Sequence, residues 1–141
     1  MRITLSGDAL QVAGLFEEET DATVRDCVVD DENDRLILVI KTGEMGKAIG
    51  SGGENVRRIE SRLNRSIKLV EDAADPRDFV ANALAPAAVY NVTISEDDEV
   101  YAYAEVANED RAVAIGSQGA NIEAARVLAQ RHHDIDDIVL T

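Results

Sequence analysis

Two short runs hold the residues best suited to act on a ligand: Gly50-Ser51-Gly52-Gly53 and Gly116-Ser117-Gln118-Gly119. Glycines at the ends of a four-residue link permit a sharp reversal and leave the backbone open to a close partner. Each run precedes a helical pattern, so unpaired N–H groups and the positive end of a helix dipole face whatever approaches. The chemistry this suits is capture of an anion along the backbone, such as a string of nucleotide phosphates. Other glycine motifs fit poorly. A dinucleotide fingerprint needs GxGxxG directly after a strand, and a phosphate-binding P-loop needs a lysine after its last glycine. Here the spacing is GxGG or GxxG between two helical patterns, and no lysine follows either run.

A single such loop reads as a plain helix-to-helix turn, but this one recurs. AIGSGGENV (48–56) returns as AIGSQGANI (114–122), an offset of 66 residues. Ala48, Ile49, Gly50, Ser51, Gly53 and Asn55 become Ala114, Ile115, Gly116, Ser117, Gly119 and Asn121, and Val56 becomes Ile122. The helices that follow share a phase: Val56, Ile59 and Leu63 in one, and Ile122, Ala125 and Ala129 in the other.

The elements that must position these loops repeat as well. A helical pattern over 8–20, with Leu10, Ala13 and Leu15 as its inward candidates, matches one over 76–85 that Asp75 caps and Pro76 opens. Strand patterns at 23–31 and 35–41 match 88–94 and 100–106. Short helices near 43–48 and 108–114 lead into the loops, and closing strands fall at 66–70 and 135–140. A weak extra strand is read at 2–5. Each half therefore reads α-β-β-α-α-β, an α/β (α+β) chain of two domains, 1–72 and 73–141, joined near Glu71–Asp75. Two modules this small gain by packing together, and a monomer of that kind is the expectation.

The resemblance that follows rests on IGSGGENVRRIE and, more specifically, on AIGSQGANIEAARVLAQRHHDIDDIVL. The chain resembles tandem KH domains of the type-II topology, as in the NusA-like transcription termination and antitermination factors. It is most similar to short archaeal members that consist of little more than the two domains. The resemblance implies a three-stranded mixed sheet in each half and recognition of single-stranded RNA, with each glycine loop clamping about four nucleotides. It also implies a role near transcription. The RNA-facing residues expected on this basis are Lys47, Ile49, Gly50, Ser51, Gly52, Gly53, Asn55, Val56, Arg57 and Arg58 in the first copy. In the second they are Ile115, Gly116, Ser117, Gln118, Gly119, Asn121 and Ile122. The middle pairs Ser51-Gly52 and Ser117-Gln118 depart from the commoner KH pattern, which carries a lysine or arginine there.

Charge divides the two copies. The chain carries 14 basic and 28 acidic side chains, a formal charge of −14 that repels phosphate at low salt. Residues 41–70 run the other way, with 7 basic against 3 acidic groups. Arg58, Arg62 and Arg65 are read as projecting opposite the buried stripe, with Arg57 on its flank, Lys47 ahead of the loop and Lys68 after the helix. Glu54 is a possible partner for Arg58. The second copy has Glu123, Ala124 and Leu128 where the first has Arg57, Arg58 and Arg62, so the first is expected to supply most of the backbone affinity. Leu128 is expected to face away from its own core and to pack against the other unit or another protein. With only three Lys against eleven Arg, abundant acids and much Ala, the composition resembles proteins of salt-loving organisms. At molar salt the Debye length is about 3 Å, and the net charge is screened beyond contact.

Nothing in the sequence calls for catalysis, a cofactor or a metal. His132 and His133 are adjacent on a helix and point about 100° apart, unlike the i, i+4 pair a metal needs. Cys27 is the only cysteine, in a strand-like run without a partner histidine. Tyr101 and Tyr103 share a strand face with no cation between them, which suits a core or interface more than a base-stacking platform. No apolar run approaches the roughly 20 residues of a membrane span, and no secretory signal opens the chain, so a cytoplasmic protein is expected. The alternatives to a transcription factor are an adaptor for RNA polymerase or ribosomal proteins, and an RNA-binding ribosome-assembly factor.

Overall fold

The computed structural model describes residues 7–141. Two compact units divide them, one ending at Asp72 and the other running from Ala73 to Thr141. The expected strand at 2–5 lies outside the described residues.

The first unit comprises α1 (Gly7–Thr20), β1 (Val24–Asp30), β2 (Arg35–Ile40), α2 (Met45–Ile49), α3 (Glu54–Leu63) and β3 (Ser66–Glu71). The second repeats it: α4 (Pro76–Ala83), β4 (Val89–Glu96), β5 (Val100–Val106), α5 (Arg111–Ile115), α6 (Ala120–His133) and β6 (Asp137–Leu140). Each unit holds a three-stranded mixed sheet, ordered β1-β2-β3 and β4-β5-β6. The hairpin strands pair antiparallel, and the closing strand returns parallel to the central one. A parallel return needs a crossover, which the two helices and the loop between them supply. The β-α-α-β core therefore presents its glycine loop at a fixed place beside the sheet.

Burial follows from position. Leu36 to Ile40 of the central strand β2 are all buried, as a strand covered on both faces requires. Phe16, Cys27, Leu38, Ile40, Ala48 and Ile59 form the heart of the first core. In α1 the inward side chains are Ala9, Ala13, Phe16 and Thr20, whereas Leu10 is 56% exposed. The expectation for Leu10 was one position out of phase. The helix buries small residues at Ala9 and Ala13 to bring its backbone near the sheet, and Phe16 supplies the bulk.

Two carboxylates stitch the repeat in a way that propensity alone does not show. Thr23 donates its N–H to Glu44 Oε1 at 2.6 Å, and Ala88 donates to Asp110 Oδ2 at 2.7 Å. Each acid stands just before the helix leading to its loop and satisfies the amide entering its unit's first strand. The Thr23 amide holds the Glu44 carboxyl below the usual glutamate range.

Helix α6 overturns the expectation for Leu128. Its buried residues are Asn121, Ile122, Ala124, Ala125, Leu128 and Ala129, a broad stripe at i, i+1, i+3, i+4, i+7 and i+8. One flank of that stripe meets α4. The Asn121 side chain donates to the Leu84 carbonyl at 3.1 Å, and the His132 ring lies 5.3 Å from Phe79. Leu128 falls between these two on the same face and is fully buried. His133 also packs on Phe79, at 4.9 Å, so the histidine pair serves as side wall for the second core. Among the described residues no group of histidine, cysteine and carboxylates could hold a metal, and no helix is long and apolar enough to cross a membrane.

A Leu128→Ala variant is expected to lose about 2–4 kcal/mol of stability, as a buried leucine truncation does. Arg62→Ala, at the matching surface position, is expected to change it by less than about 1 kcal/mol. Denaturant melts of the two variants in molar salt check this contrast.

Candidate nucleic-acid interface

The two loops share one backbone conformation. Each leading helix ends at a glycine with φ/ψ of 76°/173° (Gly50) or 81°/171° (Gly116), and a single 3-10 turn follows, Ser51–Gly53 or Ser117–Gly119. Gly53 donates to the Gly50 carbonyl at 3.2 Å, and Gly119 to the Gly116 carbonyl at 3.1 Å. A Cβ on Gly50 would stand 2.9 Å from the Asn55 amide nitrogen, and one on Gly116 would stand 2.7 Å from that of Asn121. Positive φ and this crowding both exclude a side chain at these two positions.

Asn55 and Asn121 brace the bend from the other side. Asn55 donates its amide to the Lys47 carbonyl at 2.9 Å, and Asn121 donates to the Ala114 carbonyl at 3.0 Å. Each ties the second helix back to the first across the loop. The sequence marks these asparagines as RNA-facing; their side-chain N–H groups are occupied in shaping the loop.

What faces outward is backbone. Ser51, Gly52, Ser117 and Gln118 are exposed, and a Cβ on Gly52 would meet nothing within 4 Å. Neither α3 nor α6 has a side-chain cap at its start, because Gly53 and Gly119 occupy the N-cap positions. The first turns of both helices therefore start without a capping side chain, and Glu54 and Ala120 donate their N–H groups to the Ser51 and Ser117 carbonyls. Gln118 takes the left-handed conformation at φ 54° that Gly52 takes at 61°, a cost of about 1–2 kcal/mol for a side chain with a Cβ.

The expected aliphatic wall is divided between surface and core. Ile115 is 41% exposed, and Ile49 is similarly open. Val56 is half-buried, while Ile122 is 5% exposed and belongs to the second core. Tyr101 and Tyr103 are half-buried with rings edge-on at 6.3 Å, and the Tyr101 hydroxyl donates to Glu99 at 2.6 Å.

The basic island divides into two sets. Arg57 is exposed, with Nη1 3.0 Å from where a Gly53 Cβ would stand, so its guanidinium lies over the loop. Lys47, also exposed, sits one turn ahead of the loop. Neither makes an ion pair among the described residues. Arg58 and Arg62 face α1 instead: Arg58 Nη2 lies 3.4 Å from Glu19 Oε2, and Arg62 donates to Glu19 Oε1. Glu54, the local candidate for Arg58, gives way to this longer-range partner, because α1 lies along that face of α3. Lys68 belongs with neither set. It is half-buried on β3, and desolvation first, then the charge of Arg35, push its pKa down to about 8.

The same helix face thus meets its neighbour by charge in one unit and by apolar packing in the other. Glu19 was the residue that sequence reasoning missed. It sits in a run of three glutamates with nothing local to single it out.

Comparison with known proteins agrees with this architecture. The model of the KH domain matches residues 13–74, and that of the NusA-like second KH domain matches residues 76–139. The probable transcription termination protein NusA of Halobacterium salinarum is 60% identical over 141 residues, all of both chains. Its namesake in Methanocaldococcus jannaschii is 30% identical across 97% of this chain and 74% of that protein. The transcription termination/antitermination protein NusA of Bacillus subtilis is 31% identical across 86% of this chain but only 35% of its own. The crystal structure of APE1850 superposes with a TM-score of 0.83 at 28% identity, covering 97% of this chain and all of that one. The two units are KH domains in tandem. The chain belongs to the NusA-like family of KH-domain proteins.

Glu19→Gln is expected to free Arg58 and Arg62 and tighten binding of short single-stranded RNA about two- to fivefold, the range of an exposed ion pair. Fluorescence anisotropy at fixed salt measures it. Gly116→Ala is expected to destabilise the chain by more than about 1 kcal/mol, and Gln118→Gly to stabilise it by up to that amount. Thermal melts of both read out the loop geometry.

Proposed function

We propose that this protein binds single-stranded RNA through its two glycine loops and acts, without a catalytic step, as a transcription termination/antitermination factor in the cytoplasm. The observation that carries the reading is the matched pair of open loops, each backed by a helix start with no capping side chain. Phosphate oxygens accept hydrogen bonds from such N–H groups, and these contacts position an RNA backbone without reading its sequence. KH-domain architecture and the names of the relatives support the same reading, and RNA polymerase is the assembly in which such a factor would work.

The first unit carries the larger share of the affinity. Arg57 stands over its loop and Lys47 beside it, whereas Glu123 occupies the Arg57 position in the second. Backbone donors and two cations suffice at molar salt, where each additional phosphate–cation contact yields less counterion-release free energy. The serine hydroxyls and the Gln118 amide add neutral donors that salt weakens less than it weakens charges.

Ser51→Asp with Gly52→Asp is expected to lower RNA affinity about tenfold to a hundredfold, and Ser117→Asp with Gln118→Asp by less. Arg57→Ala is expected to reduce the slope of log K against log salt by about 0.7. Salt-titrated anisotropy with a short single-stranded RNA tests all three variants. Unchanged affinity in both aspartate pairs would show that the loops are not the site.

A further inference from the structure

The second sheet carries an edge that the described residues leave open. β5 lies between β4 and β6, and its even-numbered residues turn their backbone groups toward β6. Val106 N–H donates to the Thr141 carbonyl, while the Ala104 carbonyl accepts from Thr141 and the Val100 carbonyl from Asp136. Both backbone groups of a strand residue point to the same side, so Tyr101, Tyr103 and Glu105 must bond to their β4 partners Ser95, Thr93 and Asn91. The N–H and C=O groups of Val92, Ile94 and Glu96 are then directed away from the sheet. No described residue takes them up.

The matching edge in the first unit is guarded differently. By the same parity Cys27 points outward from β1, and its N–H is met by the buried Asp26 carboxylate at 2.8 Å. In the second unit the corresponding residues are Asn91, which is exposed, and Val92.

A groove of about 790 Å³ runs along this edge, walled by Asp75, Pro76 and Arg77 at the start of α4 and by Asn91 to Glu96. Its charge selects an occupant. Arg77 is spent on Asp75, to which its guanidinium bonds at 2.8 and 3.2 Å, and those bonds hold the Asp75 carboxyl down to about 2. The charges left at the groove and its hairpin end are Asp78, Glu96, Asp97, Asp98 and Glu99, all exposed and all negative. Nucleic acid is repelled by such a rim. A second copy of this chain would bring the same negative edge against it.

We propose that the β4 edge binds a short, extended, basic protein segment, which adds to the second sheet as a fourth strand. Main-chain hydrogen bonds to Val92, Ile94 and Glu96 supply the register, as in other strand-addition complexes, and the acidic hairpin end supplies the preference for lysine or arginine. The site lies on the strand opposite the one that closes the crossover, so it is separate from the glycine-loop surface.

The test uses the full chain at about 1 M salt, where charge alone is screened within about 3 Å. The probe is a capped peptide of alternating lysine and valine, together with a version N-methylated at every second residue. The expected result is binding of the first peptide with amide shifts centred on Val92, Ile94 and Glu96. N-methylation should weaken it about tenfold or more, as loss of the strand hydrogen bonds requires. Glu96→Lys with Asp98→Lys should weaken the peptide and leave RNA affinity unchanged. The proposal is overturned if both peptides bind equally, which would indicate charge alone, or if neither binds. Concentration-dependent self-association protecting the β4 amides, or peptide shifts centred on the glycine loops, would overturn it equally.

Discussion

At Gly50 and Gly116 the chain ends one helix and begins another four residues later, with an asparagine amide pressed against the turn. Both φ values are positive, and the space a Cβ would need is filled by side-chain and backbone atoms of Asn55 or Asn121. That close approach lets α3 and α6 start directly after the bend, with no side chain capping either helix. It also lets the asparagine side chain reach back to the preceding helix and hold the angle between the two. The crossover that returns β3 and β6 parallel to their neighbours depends on this bend, so sheet topology and the exposed loop surface share one local constraint.

Around that shared bend the two units have diverged in how their helices meet. In the first, α1 touches α3 through Glu19 with Arg58 and Arg62; in the second, α4 meets α6 through Phe79, Leu128 and Asn121. The first arrangement keeps cations at the surface near a loop, and the second trades them for core volume. The packing difference accounts for Arg58 and Arg62, whereas the cations at the first loop, Arg57 and Lys47, stand apart from the helix contact.

The repeat, the order of elements and the loop positions were legible in the sequence because each rests on local signals. A glycine pair, an Asp-Pro helix start and an alternating strand are read within a few residues. The phase of α1 was not legible, because Leu10 looks like a better core residue than Ala9 until the sheet demands a small side chain. Leu128 was misjudged for a related reason: a stripe of three positions predicts one neighbour, and α6 has neighbours on two sides. Arg58 and Arg62 were placed on the right helix but given the wrong partner, since Glu19 lies 39 and 43 residues earlier in the chain. Side chains that meet across such distances leave no mark on local periodicity.

The divergence of the helix faces also limits how the gene can evolve. Nearly identical segments 66 residues apart invite unequal crossing-over, in which the beginning of one unit is joined to the end of the other. Such a hybrid would set Leu128 opposite Glu19, or Arg62 opposite the apolar flank of α4. Either junction leaves a charge buried against hydrocarbon or a leucine stranded in water. The mismatch gives each half a private fit, so a hybrid of the two is expected to be less stable than either native pairing.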